Sequence, residues 1–140
     1  MLLPKKVKFR KWHTTRRNEK RAWVETRGTG LSFGSFGLKA LTSARIESKQ
    51  LEAARKVMVH SAGKLGKVWI RIFPDRPFTQ KAAEVGMGKG KGDPQGYCVQ
   101  VRPGRVIFEI DGVENAGARE ALRKAGTKLP VKTKIISREA

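Results

Sequence analysis

The chain has 140 residues, enough for one ordinary domain with a real core. Thirty-one Lys and Arg against twelve Asp and Glu leave a formal net charge of +19, a self-repulsion that a polyanionic partner would relieve. Cys98 is the single cysteine, which excludes an internal disulfide and a cysteine-based zinc site, and no apolar run approaches the roughly 18 residues of a bilayer span.

Met1-Leu2-Leu3-Pro4-Lys5-Lys6 offers three apolar residues before proline and lysine. A secretory signal needs roughly 7–15, so none is expected. Residues 1–27 carry ten Lys and Arg against Glu19 and Glu25, a local charge of +8. Apolar periodicity is missing there, and the pattern predicts a short strand near Val7–Phe9 followed by irregular chain. Leu31–Leu41 reads as a strand interrupted by Gly34 and Gly37, which suggests bulges or the close approach of another backbone. Ser48 is the expected N-cap of a helix over Lys49–Ala62 with Leu51, Ala54, Val57, Met58 and Ala62 as its apolar stripe, ending at Gly63. Lys67–Phe73 alternates as a strand, with Val68, Ile70 and Ile72 on one face and Trp69, Arg71 and Phe73 on the other.

Pro74-Asp75-Arg76-Pro77 stops that strand, and Phe78–Gly96 has no useful period. An irregular stretch this long inside a compact domain is usually functional or disordered. Tyr97–Arg102 and Arg105–Ile110 read as strands joined into a hairpin by Pro103-Gly104. A helix over Asn115–Ala125 should face Ala118, Ala121, Leu122 and Ala125 inward and stop at Gly126. Val131–Ile136 is the last strand expected. The fold class is therefore α+β: two helices on a mixed or antiparallel sheet, forming one domain over residues 1–140. Within it, residues 1–30 form a basic arm with a short strand, and residues 31–140 form a core containing a 76–96 loop.

Two features carry chemistry. The basic arm could be a merely solvated charge run. Its charge is one-sided, however, its arginines suit phosphate, and Phe9 and Trp12 offer planes on which unstacked bases can sit. The second is Gly86-Met87-Gly88-Lys89-Gly90-Lys91-Gly92, whose bare backbone N–H groups and lysines suit phosphate oxygens. It is not an enzyme's nucleotide loop: no Gly-Lys-Ser/Thr follows, and Lys91 stands where a dinucleotide fingerprint from Gly86 needs glycine. Gly28-Thr29-Gly30-Leu31-Ser32-Phe33 fails such a fingerprint at its sixth position. Cys98 is expected to fill core space and Trp69 to serve packing. His13 and His60 have no partner at metal-ligand spacing, and Glu47, Glu52, Glu109, Glu114 and Glu120 form no acid/base pair by spacing. No catalytic residue, metal site or cofactor is expected, and the alternatives to a fixed RNA site are a general nucleic-acid chaperone and a phosphate-substrate enzyme.

Met1–Lys11, Phe33-Gly34-Ser35-Phe36-Gly37-Leu38-Lys39-Ala40, Lys67-Val68-Trp69-Ile70-Arg71-Ile72-Phe73-Pro74-Asp75, Met87–Gly92 and Lys128-Leu129-Pro130-Val131-Lys132-Thr133-Lys134 are distinctive in combination. Together they resemble the bacterial-type family of large-subunit ribosomal protein sixteen. The resemblance runs in order over essentially the whole chain. It implies a β/α hammerhead fold, a structural role in translation, binding of 23S-type large-subunit rRNA, late incorporation into the subunit and contact with neighbouring large-subunit proteins. It also implies a loop near the peptidyl-transferase centre, with the aminoacyl-site tRNA as its partner and the peptidyl-site tRNA as a further one. By position, rRNA contacts fall to Lys5, Lys6, Lys8, Phe9, Arg10, Lys11, Trp12, His13, Arg16, Arg17, Lys132 and Lys134. The tRNA-side loop comprises Arg76, Lys81, Gly86, Met87, Gly88, Lys89, Gly90 and Lys91. The expected location is a cytoplasmic ribosome, bacterial first and organellar second, with no membrane partner. Where many bacterial members carry Arg before Met-Gly-Lys-Gly, this chain has Gly86, and its Asn18–Thr29 stretch is longer than the family's.

Overall fold

A computed structural model describes residues 2–13, 23–86, 88 and 90–138. In chain order they form β1 (Phe36–Ala40), β2 (Ala44–Glu47), α1 (Ser48–Ala62), β3 (Lys67–Ile70), β4 (Arg76–Gln80), β5 (Asp93–Val101), β6 (Val106–Asp111), α2 (Asn115–Gly126) and β7 (Thr133–Ser137). The fold is α+β, but the strands make two sheets rather than one: a four-stranded sheet ordered β3-β6-β1-β7 and a three-stranded sheet ordered β2-β5-β4. Every pairing is antiparallel, so the mixed-sheet alternative is corrected.

The helices form where the apolar spacing puts them. Ala118, Ala121, Leu122 and Ala125 of α2 are fully buried, as are Leu51, Ala54 and Met58 of α1. The two helices pack on each other, α1 also touching β2, β3 and β5 while α2 covers β1 and β7. On the sheet side they meet Leu38, Phe108 and Ile110, and each such large apolar side chain contributes roughly 1.5–3 kcal/mol on burial. Glu47, not Ser48, is the N-cap of α1. The Gln50 side chain accepts the Glu47 N–H at 2.9 Å, and Ser48 is instead a buried first helical residue. Gly63 ends α1 at φ 70°. α2 runs one residue further than expected, through Gly126.

Other departures have local causes. Val7–Phe9 forms no strand, because an apolar pair among lysines finds no partner there. The Leu31–Leu41 strand is regular only from Phe36, since the chain before it crosses over the sheet instead of pairing in it. β3 ends at Ile70, yet Arg71 N–H still donates to Ile107 O at 2.9 Å, which keeps Ile72 buried. The expected 76–96 loop shrinks to residues 81–92, because Arg76–Gln80 and Asp93–Gly96 pair as strands. Proline hid them: Pro77 lies on the edge strand β4, and Pro94 lies beyond the part of β5 that pairs with β2, so neither missing N–H breaks a ladder. Pro103-Gly104 turns the chain as a hairpin would, but it carries it from one sheet to the other, and β5 does not pair with β6. The last strand starts at Thr133 rather than Val131.

Candidate nucleic-acid interface

The arm is laid on the core in two stretches. In the first, the Leu2 carbonyl accepts the Ser48 hydroxyl at 2.6 Å, tying the arm to the start of α1. Leu3 and Arg10 then border a cleft shared with Glu47, Phe78 and Tyr97. Trp12 and His13 reach the β4–β5 hairpin. Arg76 Nη2 donates to the His13 carbonyl at 3.0 Å, Arg76 Nη1 donates to Gln100 Oε1 at 3.1 Å, and the guanidinium lies 5.5 Å from the centre of the Trp12 ring. Lys91 Nζ donates to the Trp12 carbonyl. The arm and the glycine–lysine loop, 79 residues apart at that contact, therefore form one surface.

The loop over residues 81–92 is the tip of that hairpin. Gly92 is required by its surroundings, since a Cβ there would sit 2.7 Å from the Gln80 carbonyl carbon. Gly86, Gly88 and Gly90 are different: a Cβ at any of them would meet nothing within 4 Å. Packing does not explain these three glycines: Gly90 has φ 99°, a conformation that favours glycine, whereas Gly86 and Gly88 provide uncovered main chain. Lys81 Nζ donates to Gly88 O, and Val85 N–H to Ala82 O at 3.0 Å, so the tip has internal order. Lys81 and Lys91 border the cleft inside it.

The second stretch of the arm crosses the four-stranded sheet. Trp23, 71% exposed, has the Arg102 guanidinium 5.3 Å from its ring centre. Glu25 N–H donates to Pro103 O and Val106 N–H to Gly28 O, both at 2.8 Å. Leu31 then covers Gly37, where a Cβ would lie 2.4 Å from Leu31 Cδ2. Ser32 and Phe33 N–H groups donate to Glu109 Oε1 at 2.7 and 3.3 Å. This covering layer, with the helices opposite, explains why Val106 through Ile110 are all buried.

The chain matches the model of ribosomal protein L16p/L10e over residues 4–136. It is 51% identical over 140 residues to the large ribosomal subunit protein uL16 of Afipia carboxidovorans, covering all of this chain and 99% of that one. Proteins of the same name from two strains of Rhodopseudomonas palustris are 52% identical over the same span, again covering 99% of their length. The chain belongs to the ribosomal protein L16p/L10e family. It is a structural protein of the large ribosomal subunit, taking part in translation in the cytoplasm, and not an enzyme. Among the described residues no helix is long and apolar enough to cross a membrane, and no three His, Cys, Asp or Glu side chains gather as a metal site would need.

Within this ribosomal protein the expected contact residues divide. Lys5, Lys6, Lys8, Phe9, Arg10, Lys11, Trp12 and His13 are all exposed on the first stretch of the arm, and Arg76, Lys81, Gly86, Gly88, Gly90 and Lys91 share the hairpin it touches. Arg16, Arg17, Met87 and Lys89 lie outside the described residues. Lys132 and Lys134 belong to the other sheet: Lys132 O accepts Leu41 N–H at 2.7 Å just before β7, and Lys134 lies on β7 directly opposite Lys39. Charge counting missed Trp23, Arg102, Arg71 and Glu109. A single carboxylate inside Ile107-Phe108-Glu109-Ile110 was the available signal, because a strand buried on both faces tolerates a charge only with a partner. Cys98 fills core space as expected, 1% exposed, and burial pushes its thiol pKa up.

Proposed function

We propose that the protein holds large-subunit rRNA through its basic arm and presents the tip of the β4–β5 hairpin to tRNA near the peptidyl-transferase centre. The supporting observation is the convergence of arm and hairpin at Trp12, His13, Arg76 and Lys91. Arg76 and Lys91 spend donors on carbonyls of the arm, so they join the rRNA-facing and tRNA-facing parts into one cationic body. Lys5, Lys6, Lys8, Arg10, Lys11, Arg16 and Arg17 neutralise phosphate, while Phe9 offers an exposed ring, 60% accessible, for stacking. The main chain left uncovered at Gly86, Gly88 and Gly90, with Lys81 and Lys89, is suited to the close approach of a backbone phosphate of the aminoacyl-site tRNA, with the peptidyl-site tRNA as the next within reach, although the Gly88 N–H itself donates to Gly86 O at 3.0 Å. By drawing phosphates together, the same charge lets rRNA segments and neighbouring proteins close up late in subunit assembly.

Large subunits reconstituted with Lys89→Glu protein test the tRNA half of this reading. Aminoacyl-site tRNA binding is expected to weaken several-fold while the thermal midpoint of the free protein stays where it was. Unchanged tRNA binding, or an equal loss of protein stability, would refute it.

A further inference from the structure

We infer that the outer face of the four-stranded sheet carries a second RNA site, in which Phe33 is a preformed seat for one unpaired nucleobase. Three observations on that face lead to it. First, Phe33 is a large apolar ring left 56% exposed, yet it is held rigidly: it stacks on Trp69 with ring centroids 6.0 Å apart and planes 19° from parallel. The Arg71 guanidinium lies 5.3 Å from its centre, and its own N–H is bonded to the buried Glu109 carboxylate at 3.3 Å. A ring held by these contacts yet more than half exposed meets a base with little loss of rotamer freedom, which is what a stacking platform requires.

Second, the acidic groups beneath the platform are already occupied. Glu109 is fully buried against Arg71, and Asp111 accepts the Ser35 hydroxyl and the Gly112 N–H, both at 2.9 Å. The charge this face presents outward is cationic, from Lys67 on the same edge strand as Trp69 and from Arg138, whose Nη2 donates to Leu31 O at 3.4 Å. Third, Lys39 and Lys134 are directly opposite each other on β1 and β7, on the side of the sheet away from the helices. Like charges so placed repel, and a phosphate between them reverses the sign of that interaction. A base on Phe33 with its strand's phosphates along these cations accounts for all three.

The inference rests on the rRNA-binding reading but names a surface that the first stretch of the arm and the hairpin do not use. Irradiating large subunits at short ultraviolet wavelength and mapping nucleotide adducts is expected to show one at Phe33, in the tryptic peptide Gly28–Lys39, as well as adducts in the arm. Free full-length Phe33→Leu protein should bind large-subunit rRNA roughly tenfold more weakly, whereas Phe33→Tyr should stay within about twofold of wild type. Wild-type affinity in a folded Phe33→Leu protein, with adducts confined to the first stretch of the arm, would overturn this site alone. Absence of RNA binding and of adducts anywhere would instead remove the rRNA reading beneath it.

Discussion

Arg71 Nη1 donates to Glu109 Oε2 at 3.0 Å, joining a carboxylate with no solvent exposure to a guanidinium only 18% exposed. The same carboxylate accepts the N–H groups of Ser32 and Phe33, so one buried charge fastens the arm, β3 and β6 together. A buried pair of this kind adds little over an apolar pair, but removing one member strands the other. Arg71→Met is therefore expected to destabilise the protein by about 3–5 kcal/mol, and Glu109→Gln, which keeps an acceptor, by clearly less. Urea unfolding measures both, and trypsin cleavage after Arg27 should quicken in Arg71→Met as the covering stretch lifts.

Asp111 gives the fold a pH dependence. Its carboxylate is held below its usual 3.8 first by the Gly112 N–H and then by the Ser35 hydroxyl. The folded form therefore binds the proton less readily than the unfolded one. Its stabilisation is complete above that ordinary value and disappears as pH falls through the lower folded one. Stability measured on acidification should decline less steeply for Asp111→Asn than for wild type over that range.

The glycines separate structural from contact roles. Gly34→Ala would bring a Cβ within 2.6 Å of Ile110 O and is expected to lower stability by roughly 1–3 kcal/mol. Gly88→Ala meets nothing and should leave the thermal midpoint unchanged while weakening tRNA binding in reconstituted subunits. Calorimetry on both proteins checks the contrast.

Cys98 should be inert while the protein is folded. It is buried, and the same burial holds its thiol protonated above the usual range, which removes the reactive thiolate at neutral pH. Labelling with a thiol reagent is expected only after unfolding in denaturant.

Helix positions and core faces were legible because the spacing of Ala118, Ala121, Leu122 and Ala125, or of Leu51, Ala54 and Met58, admits one buried face. Strand β4 was not legible, because Pro77 and the polar residues beside it resemble loop until the edge position that tolerates them is known. Nor was the partition into two sheets. Pro103-Gly104 specifies a turn, but which strands receive the two ends depends on contacts distant in sequence. Of the candidate site, charge and glycine spacing revealed the arm and the loop separately. Their meeting at Trp12 and Arg76 is a product of the fold, as is the setting of Phe33, whose ring faces one residue distant in sequence, Arg71, and whose N–H is bonded to another, Glu109.

Neutralisation of the surplus cationic side chains by rRNA phosphate is tested most directly by the affinity of the full chain for large-subunit rRNA as salt is raised. The logarithm of the binding constant should fall linearly with the logarithm of salt concentration, by roughly 0.7–0.9 per phosphate engaged. Replacing Lys5, Lys6 and Lys8 with alanine should make that slope shallower by about one for each lysine replaced. An affinity indifferent to salt, or a slope that stays the same in the alanine protein, would contradict the proposed role of the arm.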